Sequence, residues 1–185
     1  MRFSLLVMED YRRIARTLVQ KGSIIDYYRD TIEVANGHTV EWDFIDHKGA
    51  AAVLPVRDDG KILMVKQYRN ALDRYTLEVP AGGLEPGEPT DIAAARECKE
   101  ETGYTPGEIK PLISINSTVA FCNEKIDIYL ATKLTKGEQD LDEDEYIGVE
   151  AYDLSELLDK IDRGEIKDSK TTSAILKYAV DLNRG

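Results

Sequence analysis

A glycine-rich turn that runs directly into a carboxylate-rich helix constrains this chain more than any other feature. In Pro80-Ala81-Gly82-Gly83-Leu84-Glu85-Pro86-Gly87-Glu88 the glycines allow the backbone to turn sharply and to approach a ligand closely. Pro89 suits the first turn of a helix, and Gly103 suits the left-handed position just past its end. The spacing therefore predicts a helix from near Pro89 to near Thr102. Glu97, Glu100 and Glu101 are three and four residues apart, which places all three on one face. Ala93 and Ala94 are expected on that side, leaving it uncrowded. Ile92, Ala95, Cys98 and Thr102 are expected to point the other way and pack on a sheet. Like charges at this spacing destabilise a helix by roughly 0.2–0.5 kcal/mol per pair. A divalent cation reverses that penalty, because hard cations take oxygen ligands and keep substrate phosphates in their shell. A solvated acidic face, with Arg96 and Lys99 supplying salt bridges, fits the same spacing. The turn alone is also compatible with an ordinary strand-to-helix connection.

The flanking sequence reads as strands. Ile24 to Val34 and Thr39 to Ile45 look extended around Asn36-Gly37, a strong hairpin signal. The rest of residues 1 to about 47 has no clear period. Ala50 to Val56 is an apolar run of the buried-strand type, Asp58-Asp59-Gly60 a turn, and Lys61 to Tyr68 the returning strand. Leu77 to Pro80 is short and extended. Strands follow the helix near Leu112 to Asn116 and Lys125 to Ala131; the second alternates with period two. An acidic loop, Gly137 to Tyr146, precedes a strand at Ile147 to Tyr152. Asp153 with Glu156 forms a capping-box pattern for a helix that stops at Gly164, and Asp168 can cap a last helix. This order predicts an α/β fold of the α+β type, a mixed sheet with helices packed on its faces.

Composition narrows the function. At 185 residues the chain suits one domain, or one plus a small extension. A net charge of -11 argues against binding DNA or RNA phosphates, yet leaves a small phosphate substrate open, since a cation can invert the local field. Two cysteines, Cys98 and Cys122, make no disulfide framework and suit a reducing, cytoplasmic setting. The apolar start, Met1 to Met8, runs into Glu9 and Asp10 and makes a poor signal peptide; no stretch reaches the roughly 20 apolar residues of a membrane span.

The full string has Gly82, five residues, Glu88, seven residues, then Arg96-Glu97-Cys98-Lys99-Glu100-Glu101-Thr102-Gly103-Tyr104. This resembles the Nudix box at the family spacing. Only two positions usually held by aliphatics differ, as Cys98 and Tyr104. The resemblance implies an α/β/α sandwich whose box helix binds Mg2+ or Mn2+ and directs water at a diphosphate. Carried over by position, Glu97 and Glu101 are the main metal ligands, Glu100 assists, and the Ala81 carbonyl is a further ligand. Arg96 orients the glutamates, and Glu88 supports the loop.

Other segments resemble the ADP-ribose pyrophosphatase branch of that family: His47-Lys48-Gly49-Ala50, Gln67-Tyr68-Arg69, and Leu77-Glu78-Val79-Pro80-Ala81-Gly82. The resemblance implies that Arg69 and Glu78 face the substrate or metal site, and that Gly82 and Gly83 meet the substrate. It implies that Asp142-Glu143-Asp144-Glu145-Tyr146-Ile147 supplies the general base, with Glu143 preferred and Glu145 second. It also implies that residues 1–47 form a small N-terminal β domain that makes a homodimer and helps build a nucleoside pocket, ahead of a hydrolase domain over 48–185. Tyr27, Tyr28 and Trp42 are then candidates for stacking on a base. One stretch departs from the branch: Ser117-Thr118-Val119-Ala120-Phe121-Cys122-Asn123-Glu124 lacks the usual proline and glycine. The expected substrate is ADP-ribose or a related nucleotide sugar. The alternatives are another diphosphate, such as GDP-mannose, a dinucleotide or a modified nucleotide, and a module that binds nucleotide sugars without cutting them.

Overall fold

The computed structural model describes residues 10–143 and 145–184. Asp144 of the acidic run and the apolar start at residues 1–8 lie outside the described residues. The chain divides into two compact units. One holds residues 10–48 with Thr118–Glu124; the other holds Gly49–Ser117 and Lys125 onward. The stretch 118–124, expected as a turn inside the hydrolase domain, thus belongs to the first unit. Asn123 holds it there, accepting from the His47 N–H at 2.8 Å and donating to Asp46 at 2.6 Å.

The first unit is an antiparallel sheet of β1 (Tyr11–Lys21), β2 (Ile25–Val34) and β3 (Thr39–His47). The β2–β3 hairpin turns at Gly37, whose φ of 79° is left-handed. Strand β1 was not legible from alternation, and its register explains why. The pairing with β2 shifts between Arg13 and Ala15 and again between Leu18 and Gln20. Each irregularity breaks the period-two pattern.

The second unit contains β4 (Ala50–Pro55), β5 (Ile62–Arg69), β6 (Arg74–Glu78), β7 (Ala81–Gly83), α1 (Thr90–Thr102), β8 (Tyr104–Thr105), β9 (Glu108–Asn116), β10 (Lys125–Thr132), β11 (Thr135–Lys136), β12 (Gly148–Tyr152), α2 (Leu154–Asp162) and α3 (Ser169–Leu182). Its main sheet runs β7-β4-β10-β9, and a second runs β12-β5-β6. Strands β4 and β10 are parallel and their other neighbours antiparallel, so the sheet is mixed as expected. Strand β4 shows why the run is apolar throughout. Ala51 and Val53 pack with Ala93, Ala94 and Cys98 of α1. Ala52 and Leu54 pack in the other core, with Leu157 of α2 and Ala174 and Ile175 of α3. Helices cover both faces, so neither face of the strand meets water.

The helix faces differ from the sequence expectation. Ala93 and Ala94 are fully buried, and Ile92 is 56% exposed. The small alanines, not the isoleucine, let α1 lie close to β4. This closeness also buries Glu97 and Glu101, so the carboxylate face is not a solvated one.

Candidate active site

Helix α1 brings the box glutamates against the loop that precedes it. A side-chain carbon at Gly82 would collide with the Glu97 carboxylate where it now lies, so glycine leaves that carboxylate its place. Gly83 meets no such neighbour. Arg96 ties loop and helix together. Its Nε and Nη2 donate to the two oxygens of Glu88 at 2.9 and 3.0 Å. Its Nη1 donates to Glu97 at 2.6 Å and Glu100 at 2.9 Å, and Nη2 reaches the Gly83 carbonyl at 3.2 Å. Such charge-assisted bonds are strong and directional. They hold the Glu88 carboxyl below its usual range.

Glu101 is 4% exposed and accepts from the Ala81 N–H at 3.1 Å. Burial, then the neighbouring Glu97 charge, pushes its carboxyl up to about 8. Burial raises Glu97 as well. Two buried carboxylates one turn apart repel each other, and the chain supplies too little positive charge to neutralise both.

The acidic loop is docked on the end of α1. The Gly137 N–H donates to the Gly103 carbonyl at 2.6 Å and the Asp140 N–H to the Glu100 carbonyl at 3.0 Å. Gln139 donates to the Glu101 carbonyl at 2.6 Å. These bonds satisfy carbonyls that a helix end leaves unpaired. Within the loop, the charge of Glu145 acts on both Glu97 and Glu101. Glu143 is exposed, and among the described residues no hydrogen bond or ion pair joins it to the cluster.

Arg69 meets Glu78, three residues before the Ala81 that bonds Glu101, and the Arg69 charge acts on Glu101. Arg69 and Glu78 form a two-pronged pair at 2.8 and 2.6 Å. Glu78 is 2% exposed and also accepts from Thr76 at 2.6 Å and from Lys170. Burial alone would raise its carboxyl; Arg69 and Lys170 more than offset that and hold it at about 2. Glu78, expected to face the substrate or metal site, has its oxygens bonded to Arg69, Thr76 and Lys170. Lys170 was missed. The signal available was a lysine in the first turn of a helix, where its charge opposes the helix dipole.

Tyr28 and Trp42 lie in the first unit. Tyr28 pairs with Phe44 across β2 and β3, with ring centres 6.1 Å apart. Trp42 is 49% exposed and lines a cavity of about 640 Å³ with Tyr27, Ile45, Ala120 and Phe121.

The NUDIX domain matches residues 46–174. The chain belongs to the NUDIX domain family. Among its Nudix relatives, the ADP-ribose pyrophosphatase of Bacillus subtilis (strain 168) is 39% identical over 166 residues, covering 89% of this chain and 90% of the relative. The methanol dehydrogenase activator of Bacillus methanolicus is 39% identical over 156 residues, covering 83% and 84%. A solved structure described as ADP compounds hydrolase superposes with a TM-score of 0.84 over 95% of each chain. At 20% identity that likeness bears on the fold alone. The α/β/α Nudix architecture expected from the box is the one observed. The chain is therefore an enzyme, a Nudix diphosphatase, and not a binding module without catalysis.

Nudix hydrolases generally use a divalent metal. The residues present fit one by donor chemistry: the cluster offers only carboxylate and backbone oxygens, which suit a hard cation. Among the described residues, no three acidic, histidine or cysteine side chains stand as a ready-made cage. Arg96 engages Glu88, Glu97 and Glu100 instead, so two of the three helix glutamates, Glu97 and Glu100, lie turned toward the guanidinium.

No described helix is long and apolar enough to cross a membrane.

Proposed function

We propose that this Nudix enzyme hydrolyses the diphosphate of ADP-ribose or a related nucleotide sugar, releasing a nucleoside monophosphate and a sugar phosphate. The observation that carries the reading is the pair of buried, incompletely neutralised carboxylates, Glu97 and Glu101, against the bare backbone of Gly82. Glu97 and Glu101 would hold Mg2+, or Mn2+ in its place, with Glu100 and the Ala81 carbonyl assisting. When bound, the cation neutralises diphosphate charge and acidifies a water. Arg96 keeps the glutamates aimed. Arg69 binds phosphate oxygens, a task its planar guanidinium suits. Glu145, rather than Glu143, takes a proton from the water whose oxygen attacks one phosphorus, while the bridging oxygen leaves with the other phosphate. The docking of the loop and the reach of the Glu145 charge support that choice. Trp42 is the candidate for stacking on a base, because it is half-exposed on a cavity wall, though one side of its ring meets Tyr11 as Tyr28 meets Phe44.

The first unit supports a homodimer. Every residue of β1 is exposed, and Tyr11, Ile14, Leu18 and Val19 among them are apolar or aromatic. A strand with this much uncovered apolar surface calls for a partner. A monomer mass at micromolar concentration would remove that assignment. Two free cysteines, one buried, suit the cytoplasm.

The test is a hydrolysis screen over nucleotide sugars with Mg2+ and product identification. AMP and ribose 5-phosphate from ADP-ribose are expected; no turnover of any nucleotide sugar would sink the reading. A second reading, another diphosphate such as GDP-mannose, a dinucleotide or a modified nucleotide, is favoured by the departure at Thr118-Val119-Ala120. The same screen separates the two.

A further inference from the structure

We propose that Lys170, in the first turn of α3, is a positioning residue for the substrate diphosphate: it fixes Glu78, and through Glu78 the guanidinium of Arg69. The proposal rests on the reading above in taking Arg69 as the group that meets phosphate.

Glu78 accepts four hydrogen bonds. One oxygen takes Arg69 Nε and Thr76 Oγ1; the other takes Arg69 Nη2 and Lys170 Nζ. A carboxylate offers about four lone-pair sites, so Glu78 is saturated and has none left for substrate. It can act only through the groups it holds. Lys170 is itself buried and donates to Asp168 at 3.0 Å. Asp168 caps α3, accepting from the Thr171 N–H at 3.0 Å and its hydroxyl at 2.6 Å. The Thr171 hydroxyl oxygen in turn accepts from the Val79 N–H at 3.0 Å. The start of α3, the end of β6 and the end of β5 thus form one bonded unit. Two cations and two anions balance within it.

Arg69 is the most exposed of the charged members, its side chain 39% exposed against 25% for Asp168 and 10% for Lys170. Nε and Nη2 are committed to Glu78, and among the described residues Nη1 has no partner. The guanidinium is therefore gripped on one edge and offered on the other, and its charge acts on Glu101. Stability does not require a lysine here. Burying an ammonium costs free energy, and an apolar side chain of similar volume often serves a buried site as well or better. A fixed posture for Arg69 is what the amine adds. Thr76 and Arg69 alone would leave one Glu78 oxygen with a single bond, from the same guanidinium the carboxylate is to hold in place.

Steady-state kinetics with ADP-ribose and Mg2+ on the wild type, Lys170→Met, Arg69→Ala and the double variant test this. Lys170→Met is expected to raise KM about tenfold with a smaller change in kcat, while Tm moves by only a few degrees. Arg69→Ala is expected to raise KM at least as much. Adding Lys170→Met to Arg69→Ala is expected to change nothing further, because the two act as one unit. Lys170→Gln keeps a donor toward Glu78 without the charge. It is expected between the wild type and Lys170→Met, and it carries the test if Lys170→Met does not fold. A wild-type KM in both Lys170 variants overturns the proposal. So does an equal KM rise with and without Arg69, which would mark a general structural effect. A wild type that turns over no nucleotide sugar defeats the functional reading first, and this proposal with it.

Discussion

Glu78 and Glu101 are buried almost equally, at 2% and 4% exposure, and they lie in the same unit. Burial pushes both carboxyls up, yet Glu78 is held at about 2 and Glu101 sits at about 8. The difference is in the company each keeps. Around Glu78 the chain places Arg69 and Lys170, both within hydrogen-bonding distance. Around Glu101 it places Glu97, a backbone N–H and the more distant Arg69 and Glu145 charges. Burying an unpaired carboxylate is costly, and a chain avoids it unless something else arrives to pair it. One glutamate is completed by the protein's own cations. The other is left without a cation by the chain, which is why the proposed metal is assigned there.

The comparison is broken most sharply by changing the incomplete side. Glu97→Gln removes one charge of the repelling pair while keeping its size. The expected loss in kcat is about a thousandfold, the scale on which a preorganised charged group acts. The fold is expected to remain intact by circular dichroism, because the variant relieves repulsion rather than adding it. Wild-type turnover in this variant would end the metal-ligand assignment of Glu97. A smaller loss is expected from Glu145→Gln, about a hundredfold in kcat with little change in KM, as for removal of a general base. Glu143→Gln is expected to stay near the wild type. The reverse pattern would return the base to Glu143.

Much of the second unit was legible because its signals are local. Gly103, Asp153 with Glu156, and Asp168 each mark a helix end by a backbone need that a particular side chain meets. That Glu97, Glu100 and Glu101 share a helix face was legible from spacing, but only the resemblance to the Nudix box set them apart from a solvated acidic face. Burial was not legible, since whether α1 turns Ile92 or Ala93 and Ala94 toward β4 depends on how closely helix and strand approach. That choice is made by the opposing Ala51 and Val53, some forty residues away in sequence. The docking of the acidic loop was hidden for a similar reason. It depends on carbonyls of α1 that only the folded helix exposes to Gly137, Gln139 and Asp140. Lys170 reaches Glu78 across 92 residues, a pairing that no period encodes.

The smallest expected effect separates the two glutamates by pH in metal-free protein. Both groups have an ordinary value of 4.5. Glu78 is depressed in the fold. Its contribution to stability is present above pH 4.5 and is lost as pH falls toward 2. Glu101 is raised. Its contribution is present below pH 4.5 and is lost as pH rises through about 8. The metal-free wild type should therefore weaken on both sides, for different reasons. Glu101→Gln is expected to flatten the alkaline limb between pH 5 and 8 and to raise Tm at pH 8 by roughly 4 °C, on a scale of 2–4 °C per kcal/mol. Its acid limb should match the wild type, because Glu78 is untouched. Mg2+ should raise Tm of the wild type at pH 8 and do less for the variant, which has lost a charge for it to neutralise. Thermal melts across pH, with and without Mg2+, measure all of this. An alkaline limb that survives Glu101→Gln would show that Glu101 is already neutralised by the chain, and the contrast with Glu78 would collapse.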